Sequence, residues 1–366
     1  MIDFSKLNSP DQLSTKIKEL AIKFISFEGI GKRYLLGRNE HSLALSHVIE
    51  IDGFVDDFSE SNTFWNGKPV FKGAELPQKA IIVNCSMSIR PLTAHQSIVN
   101  LGLDILKYSD LYKISPSLIP LPKFVLETQE DYALNFLKIE HLRSILFDDE
   151  SKQVLDDIYN FRLTGDYSYM NRFSYKPTEQ YFEEFVGLYE NEFFVDAGAF
   201  DGDTSEIFCI KHPKYKKVIL FEPSIINIEK AKSRLCKYKN VEFKQLGISD
   251  KKDILYFNEN GGSANNISET GTTKINVTTL DEEINSVVTF IKMDLEGWEM
   301  KALEGSKQHI LKDYPKMAIA VYHNPSDFWR ILEYVFSIRN DYNIFLRHYT
   351  EGWSETVMYF VPKIRN

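Results

Sequence analysis

Residues 193–206 read FFVDAGAFDGDTSE. An apolar run opens the stretch, Gly198 and Gly202 turn it, and Asp196, Asp201, Asp203 and Glu206 set carboxylates around the turn. A phosphate loop presents glycine N–H groups and a helix N-terminus, usually with a lysine close by. Here aspartates take those places, and neither the G-x-G-x-x-G nor the P-loop spacing is met. Phosphate beside Asp201 and Asp203 would be repelled. The turn suits a ligand with a positive centre and a ribose but no phosphate. S-adenosylmethionine, with a sulfonium, an ammonium and two ribose hydroxyls, has that make-up.

The strands that follow extend the reading. KVILFEPS ends on Glu222, about twenty residues beyond the turn, where an acid accepts hydrogen bonds from ribose hydroxyls. Before Pro223 the same acid also reads as a turn former. VEFKQLGISD ends in a small residue, then an apolar one, which suits close approach of an adenine ring. Ser249 and Asp250 are candidate partners for its amino group, although such sequences also make ordinary turns. In FIKMDLEGWE, alternate residues share a side, so Lys292 and Asp294 face one way. Both approach the carboxyl edge of the sheet, where open α/β folds bind ligands. Asp294 and Glu296 are expected near the methyl group, and KMAIAVYHNP brings His323 and Asn324 to the same edge. Lys292 also reads as half of a buried ion pair with Asp294 or Glu296, and His323 equally as a structural histidine. GGSAN at 261–265 reads as a hairpin tip or as a loop over the cofactor, with Ser263 in contact.

Upstream, SPDQLSTKIKELAIKFIS reads as a helix. Ser9 is its N-cap, Pro10 its first residue and Gln12 closes a capping box. Leu13, Ile17, Leu20, Ala21 and Phe24 form its apolar stripe. RYLLG, IDGFVDD, AIIVNCS and DILKYSD are strand-like and alternate with helix-like runs, giving a small Rossmann-like α/β domain over residues 1–120. Its turn carries only Gly37, and Asp56 and Asp57 either bind a ribose or cap a turn. PSLIPLPKF is a proline-rich boundary. Residues 121–185 form a helical connector, and alternation resumes over 186–366 in a larger α/β domain.

The chain of 366 residues carries a formal net charge of −9. Nucleic-acid and anionic-membrane partners are therefore not expected, since both select clustered basic surface. No apolar run approaches the ~18 residues of a membrane span. MIDFSKLNSP lacks a basic region followed by an apolar core, so no secretory signal is read there. The 3 cysteines have neither zinc spacing nor an even number, and a reducing cytoplasm is the expected setting.

VDAGAFDGDT, FEPS, VTTLDEEI, IKMDLEGWEMKALEG and VYHNPSDFW, in this order, resemble the FkbM-like methyltransferases, which are class I S-adenosylmethionine-dependent enzymes. The resemblance covers about residues 175–366. RLTGDYSYM just upstream is similar to members with an extra N-terminal domain. The family implies a twisted, mostly parallel seven-stranded sheet with helices on both faces and an antiparallel last strand. It implies O-methylation, commonly of sugars or other secondary metabolites. Its motifs place cofactor contacts at Asp196, Gly198, Gly202, Asp203, Thr204 and Glu222, to which Pro223, Ser249 and Asp294 are added.

The expected reaction is O-methylation of a glycan or nucleotide-linked sugar. His323 is the first candidate base and Asp294 the second, and Lys292 neutralises Asp294 or holds the acceptor. Glu296, Asn324 and Tyr169 are expected to meet the acceptor. Tyr167, Tyr169, Phe173 and Tyr175 either wall its pocket or pack structurally. A divalent metal on Asp294, Glu296 and a histidine has no spacing motif behind it, and homo-oligomerisation is left open. A nicotinamide oxidoreductase would need a turn that welcomes pyrophosphate. A binding protein without turnover, or a methyltransferase of a non-sugar metabolite, would keep the same pocket.

Overall fold

The computed structural model describes residues 8–26, 32–60, 62–257 and 273–363. The 261–265 loop with Ser263 lies outside them. Two compact units emerge. One groups Met1–Phe136, Gln153–Tyr175 and Tyr349–Ser354, the other Leu137–Lys152, Lys176–His348 and Glu355–Asn366.

The first unit holds a six-stranded sheet built from β1 (Arg33–Leu36), β2 (Gly53–Val55), β3 (Phe64–Trp65), β4 (Lys68–Phe71), β5 (Ile81–Asn84) and β6 (Asp104–Lys107). The order is β3-β4-β2-β1-β5-β6, parallel except for β3. Helices α1 (Thr15–Ser26), α2 (Glu40–Val48), α3 (Pro91–Asn100) and α4 (Tyr108–Ile114) accompany it. α1 starts later than its sequence signals suggest. Ser9 caps a separate 3-10 turn, Pro10–Gln12, and Leu13 is extended behind it. Leu20, Ala21 and Phe24 of the expected stripe are buried, each large side chain contributing roughly 1.5–3 kcal/mol.

The acids ending β2 are committed locally. Arg38 Nη2 lies 2.6 Å from Asp56 Oδ2, and Asp57 Oδ1 accepts from Gly73 N–H at 2.7 Å. Of the two readings of these acids, turn capping is the one the side chains adopt. Among the aromatics of 167–175, Tyr169 and Tyr175 are exposed and Tyr167 packs structurally. Tyr167 is buried, its hydroxyl 3.1 Å from Asn84 Nδ2 and 2.7 Å from His95 Nδ1, and Arg90 lies over the Tyr175 ring.

Helices α5 (Lys123–Ile145) and α6 (Asp149–Thr164) fill the expected connector. α5 breaks at Asn135 (φ −121°, ψ 17°). The Asn135 amide donates to the Asp131 carbonyl at 3.3 Å and to its carboxylate at 2.9 Å, a side-chain alternative to the helical backbone ladder. The unit boundaries fall inside α5 and α6, whereas the sequence reading divides the chain at 120 and 185. A linear reading assigns a helix by its neighbours in sequence. Packing assigns each part by what it touches.

The second unit is built on β7 (Phe193–Ala197), β8 (Lys217–Phe221), β9 (Val241–Lys244), β13 (Phe290–Met293), β14 (Lys316–Ala320), β15 (Tyr342–His348) and β16 (Thr356–Pro362). β10 (Gly247–Ile248), β11 (Asp253–Phe257) and β12 (Thr273–Thr278) lie between them in sequence. The seven-stranded order is β15-β16-β14-β13-β7-β8-β9, with only β16 antiparallel to its neighbours. This is the class I methyltransferase arrangement. β10, β11 and β12 make a separate three-stranded sheet, which the sequence reading did not distinguish from the main one. Helices α7 (Asp203–Lys211), α8 (Ile225–Leu235), α9 (Leu280–Glu283), α10 (Glu299–Glu304), α11 (Lys307–Lys312) and α12 (Asp327–Ile338) complete the unit.

β7 is central and buried at every position, as expected of a parallel strand covered on both faces. Phe194 packs its ring on Phe208 of α7 at 4.4 Å and on Phe290 of β13 at 5.0 Å. That apolar layer fixes the carboxyl end of β7, and with it the glycine turn.

Candidate active site

The turn after β7 depends on backbone that only glycine gives freely. Gly198 has φ +77°, and a Cβ there would meet the Asp294 carbonyl oxygen at 1.9 Å. The turn and the end of β13 therefore cross in near contact. Gly202 (φ +80°) directly precedes α7.

Asp196 sits one residue before the strand end with no exposed surface. Ser205 Oγ donates to its Oδ2 at 2.7 Å. Lys292 Nζ lies 3.1 Å from its Oδ1 and donates to the Gly198 carbonyl at 2.7 Å. Burial pulls the Lys292 ammonium down, but Asp196 and Asp294 outweigh it and hold the group above the usual lysine range. Lys292 thus pairs chiefly with Asp196, not with Asp294 or Glu296. A fully enclosed Asp196 braces the turn; it has no surface with which to touch a ligand.

The other acids of the opening stretch differ among themselves. Asp201 Oδ2 lies 2.7 Å from Arg234 Nη2, and Glu206 lies 3.2 Å from Arg234 Nη1 and 3.2 Å from Lys237 Nζ. Arg234 stands at the end of α8, so these pairs tie α7 to α8 and cancel part of the charge on which the sequence reading relied. Asp203 is exposed, and its Oδ1 accepts from Thr204 N–H at 2.7 Å.

Glu222 directly follows β8 and lies against the same turn. Its Oε2 accepts from Phe200 N–H at 3.0 Å and its Oε1 from Ser224 N–H at 2.9 Å. Burial pushes its carboxyl up, partly offset by those backbone donors. Phe200 has a left-handed backbone (φ +47°) and an exposed ring. Pro223, next to Glu222 in the chain, is half-buried. Ser249 is buried, takes a hydrogen bond from Trp298 Nε1 at 3.2 Å and donates to Asp250 at 3.0 Å. Asp250 is paired with Lys301 at 3.0 Å.

A second group gathers at the ends of β13 and β14. Asp294 Oδ2 accepts from Tyr181 Oη at 2.7 Å, and its Oδ1 from Tyr322 Oη at 3.3 Å. His323 Nε2 stands 3.6 Å from Asp294 Oδ1 and 3.4 Å from Glu296 Oε2, and Nδ1 stands 3.0 Å from Glu299 Oε1. Glu299 is fully buried and accepts from Leu295 N–H at 2.7 Å. Burial pulls the His323 ring down, but Glu299, Glu296 and Asp294 outweigh it and hold the ring well above the usual histidine range. Three carboxylates around the ring favour its protonated form, which does not suit the expectation of a free base. Asn324 is turned to Asp327, donating from Nδ2 at 2.9 Å. Burial, then the Glu299 charge, pushes Asp327 up to about 6. Glu355 directly precedes β16, has φ +68° and accepts from Gln180 Nε2 at 2.6 Å. Burial, then the Asp294 charge, pushes it up to about 7.

Residues 196–350, which carry both groups, match the model of the methyltransferase FkbM domain. This segment is a methyltransferase FkbM domain. The methyltransferase FkbM of Methylobacillus flagellatus KT has the same overall fold, with TM-score 0.72 and 25% identity over 98% of each chain. SMU.1697c of Streptococcus mutans, solved in complex with SAH, aligns with TM-score 0.32 and 14% identity over 47% of this chain and 90% of its own. Fibrillarin of Aeropyrum pernix, solved with natively bound S-adenosyl-L-methionine, gives TM-score 0.32 and 13% identity over 49% and 72%. Scores that low say nothing of this chain's ligand. No curated protein matches the chain. No helix of the described residues is long and apolar enough to cross a membrane.

Within the FkbM domain, the structure brings Gly198, Gly202, Asp203, Thr204, Glu222 and Pro223 together around the turn. Asp294, Glu296 and His323 gather at the neighbouring strand ends. Tyr169 belongs to the first unit. Sequence reasoning missed Tyr181, Glu299, Tyr322 and Glu355. Glu299 had a local signal, the third acid of D-L-E-G-W-E on the helix start. Tyr181 had none, since it meets Asp294 from 113 positions away.

Proposed function

We propose that the FkbM domain transfers a methyl group from S-adenosylmethionine to a sugar hydroxyl. One observation carries the cofactor assignment: the Glu222 carboxylate is fixed against the glycine turn by the Phe200 N–H. Its place at the end of the strand beside β7 is that of a ribose-binding acid. Asp203 and Thr204 at the start of α7 supply further polar groups, and the acids there favour a cationic donor over a polyphosphate. The sugar acceptor, as a glycan or nucleotide-linked sugar in the cytoplasm, rests on the family resemblance.

Methyl transfer is an in-line displacement. The acceptor oxygen attacks the methyl carbon, the C–S bond breaks with its electron pair going to sulfur, and the hydroxyl proton leaves to a base. Alignment of donor and acceptor supplies much of the rate. Glu355, pushed up to about 7, is the carboxylate poised to take that proton near neutral pH. Its left-handed backbone is the kind of local strain that collects at functional sites. Lys292 braces the turn from below, and Asp294, held by Tyr181 and Tyr322, faces the acceptor.

Calorimetry with S-adenosylmethionine on the wild type and Glu222→Ala tests the cofactor site. Affinity is expected to fall by more than tenfold in the variant. Equal affinity in both proteins sinks the assignment. A labelled-methyl assay over nucleotide-sugars and polysaccharide fragments then tests the acceptor; label on non-sugar metabolites alone would redirect it.

A further inference from the structure

We propose that Asp294, Glu296 and His323 form a binding site for one divalent cation, with Glu299 as the residue that orients the histidine. One donor atom each from Asp294, Glu299 and His323 lie within 4.8 Å of one another. Three backbone segments supply the group: the end of β13, the turn into α10 and the end of β14. Glu296 and Gly297 take left-handed backbone at that turn (φ +53° and +93°).

Two buried orphans point to an ion. The His323 side chain is 9% exposed, yet neither ring nitrogen has an aligned hydrogen bond, and Glu299 Oε2 is buried with none. Buried polar atoms are nearly always satisfied, so such exceptions mark a missing water or ion. His323 Nε2 stands 3.4 Å from Glu296 and 3.6 Å from Asp294. Neighbouring ligands on an octahedral ion at about 2.1 Å lie about 3 Å apart, so each of these carboxylates stands a small shift from ligand spacing to the same ring nitrogen. At the other nitrogen, Glu299 Oε1 stands 3.0 Å away. A carboxylate behind a metal-binding imidazole is the usual device for fixing its ring and tautomer.

The donors are two carboxylates and one imidazole, a set suited to Mn²⁺ or Mg²⁺, which keep further positions for water or substrate oxygen. An acceptor hydroxyl on such an ion would be more acidic and would sit close to the carboxylate assigned above as base. That catalytic role rests on the proposed function; the cation site itself does not.

The test uses the full chain after dialysis against a chelator. Mn²⁺ binding is read by electron paramagnetic resonance, and S-adenosylmethionine binding by calorimetry on the same samples. One saturable Mn²⁺ per chain is expected, displaced by excess Mg²⁺ and weakened at least tenfold by Glu296→Gln and by Asp294→Asn. Glu299→Gln is expected to weaken it about 10–100-fold. Glu296 is partly exposed, so its variant should fold, which circular dichroism checks. No saturable Mn²⁺ in wild type, or unchanged Mn²⁺ affinity in folded Glu296→Gln, overturns the site. Mn²⁺ binding without S-adenosylmethionine binding would uphold this site and sink the donor assignment instead.

Discussion

Lys292 on β13 and Asp196 on β7 are direct partners in the parallel register, and their side chains meet at 3.1 Å with neither exposed beyond 4%. The same ammonium donates to the Gly198 carbonyl, so one cation joins two strands and the glycine turn. Removing one partner of a buried pair leaves an uncompensated charge, at a cost of about 3–5 kcal/mol. Lys292→Met is therefore expected to lower unfolding free energy by that order and to weaken cofactor binding through the turn. Urea denaturation measures the first effect. A Lys292→Met/Asp196→Leu double variant, with no stranded charge, should recover much of the stability but not the affinity. Equal stability in Lys292→Met and wild type would mean that the pair does not hold the sheet.

Gly198 and Gly202 both have positive φ, but their surroundings differ. A Cβ at Gly198 would lie 1.9 Å from the Asp294 carbonyl oxygen, which is backbone and cannot step aside. At Gly202 the nearest atom is the Ala231 Cβ, at 3.0 Å, and the neighbour has to give by only a few tenths of an ångström. Gly198→Ala is expected to abolish binding of the donor and to lower stability by several kcal/mol. Gly202→Ala should cost only the left-handed backbone and mild crowding, about 1–3 kcal/mol. Thermal unfolding and calorimetry on the pair check the order, and a reversed order would mean that the chains do not cross there.

Glu355 gives a prediction with a sign. Its folded value, about 7, is raised above the ordinary glutamate value near 4.3. The folded protein holds that proton more tightly, so the group's contribution is fully present below about pH 4.3 and is lost as pH rises to about 7. Glu355→Gln removes the ionisation. Relative to wild type, the variant should gain stability between pH 4.3 and 7 and keep that gain at pH 8. Turnover should fall by about 10²–10⁴ if Glu355 is the base. Stability measured by denaturant across this range, beside methyl transfer at saturating donor, separates the two roles. A parallel stability profile for variant and wild type would remove the raised carboxyl, and unchanged turnover would remove the base.

The strand ends of the FkbM domain were legible because short-range pattern governs them. FFVDAG, KVILFE and FIKMD are apolar runs closed by acids, and in a parallel sheet such runs end at one edge. Periodicity does not say which sheet a strand joins, and β11 and β12 went to a small sheet of their own. Charge counted along 196–206 overstated the field because Arg234 and Lys237, beyond the next strand, neutralise Asp201 and Glu206. Tyr181 and Glu355 reach Asp294 through tertiary folding, with no spacing to announce them. His323 was placed at the right edge with Asp294 and Glu296, but Glu299, the carboxylate nearest its ring at 3.0 Å, is visible only in the structure.

Arg234 tests what remains of the electrostatic argument. Its side chain is 35% exposed and bonds Asp201 and Glu206, and an exposed pair of this kind is worth about 0–1 kcal/mol. Arg234→Ala should therefore change stability little. It leaves Asp201 without its partner, while Glu206 keeps Lys237 at 3.2 Å, which raises the negative potential where a sulfonium and an ammonium would bind. Affinity for S-adenosylmethionine is expected to rise about two- to fivefold at low salt, and the gain should fade towards 1 M salt, where the Debye length shrinks to about 3 Å. Adenosine, a neutral control, lacks both cationic centres and should show no gain. Weaker binding of the cationic donor at low salt, with adenosine unaffected, would mean that the turn does not select its ligand by charge.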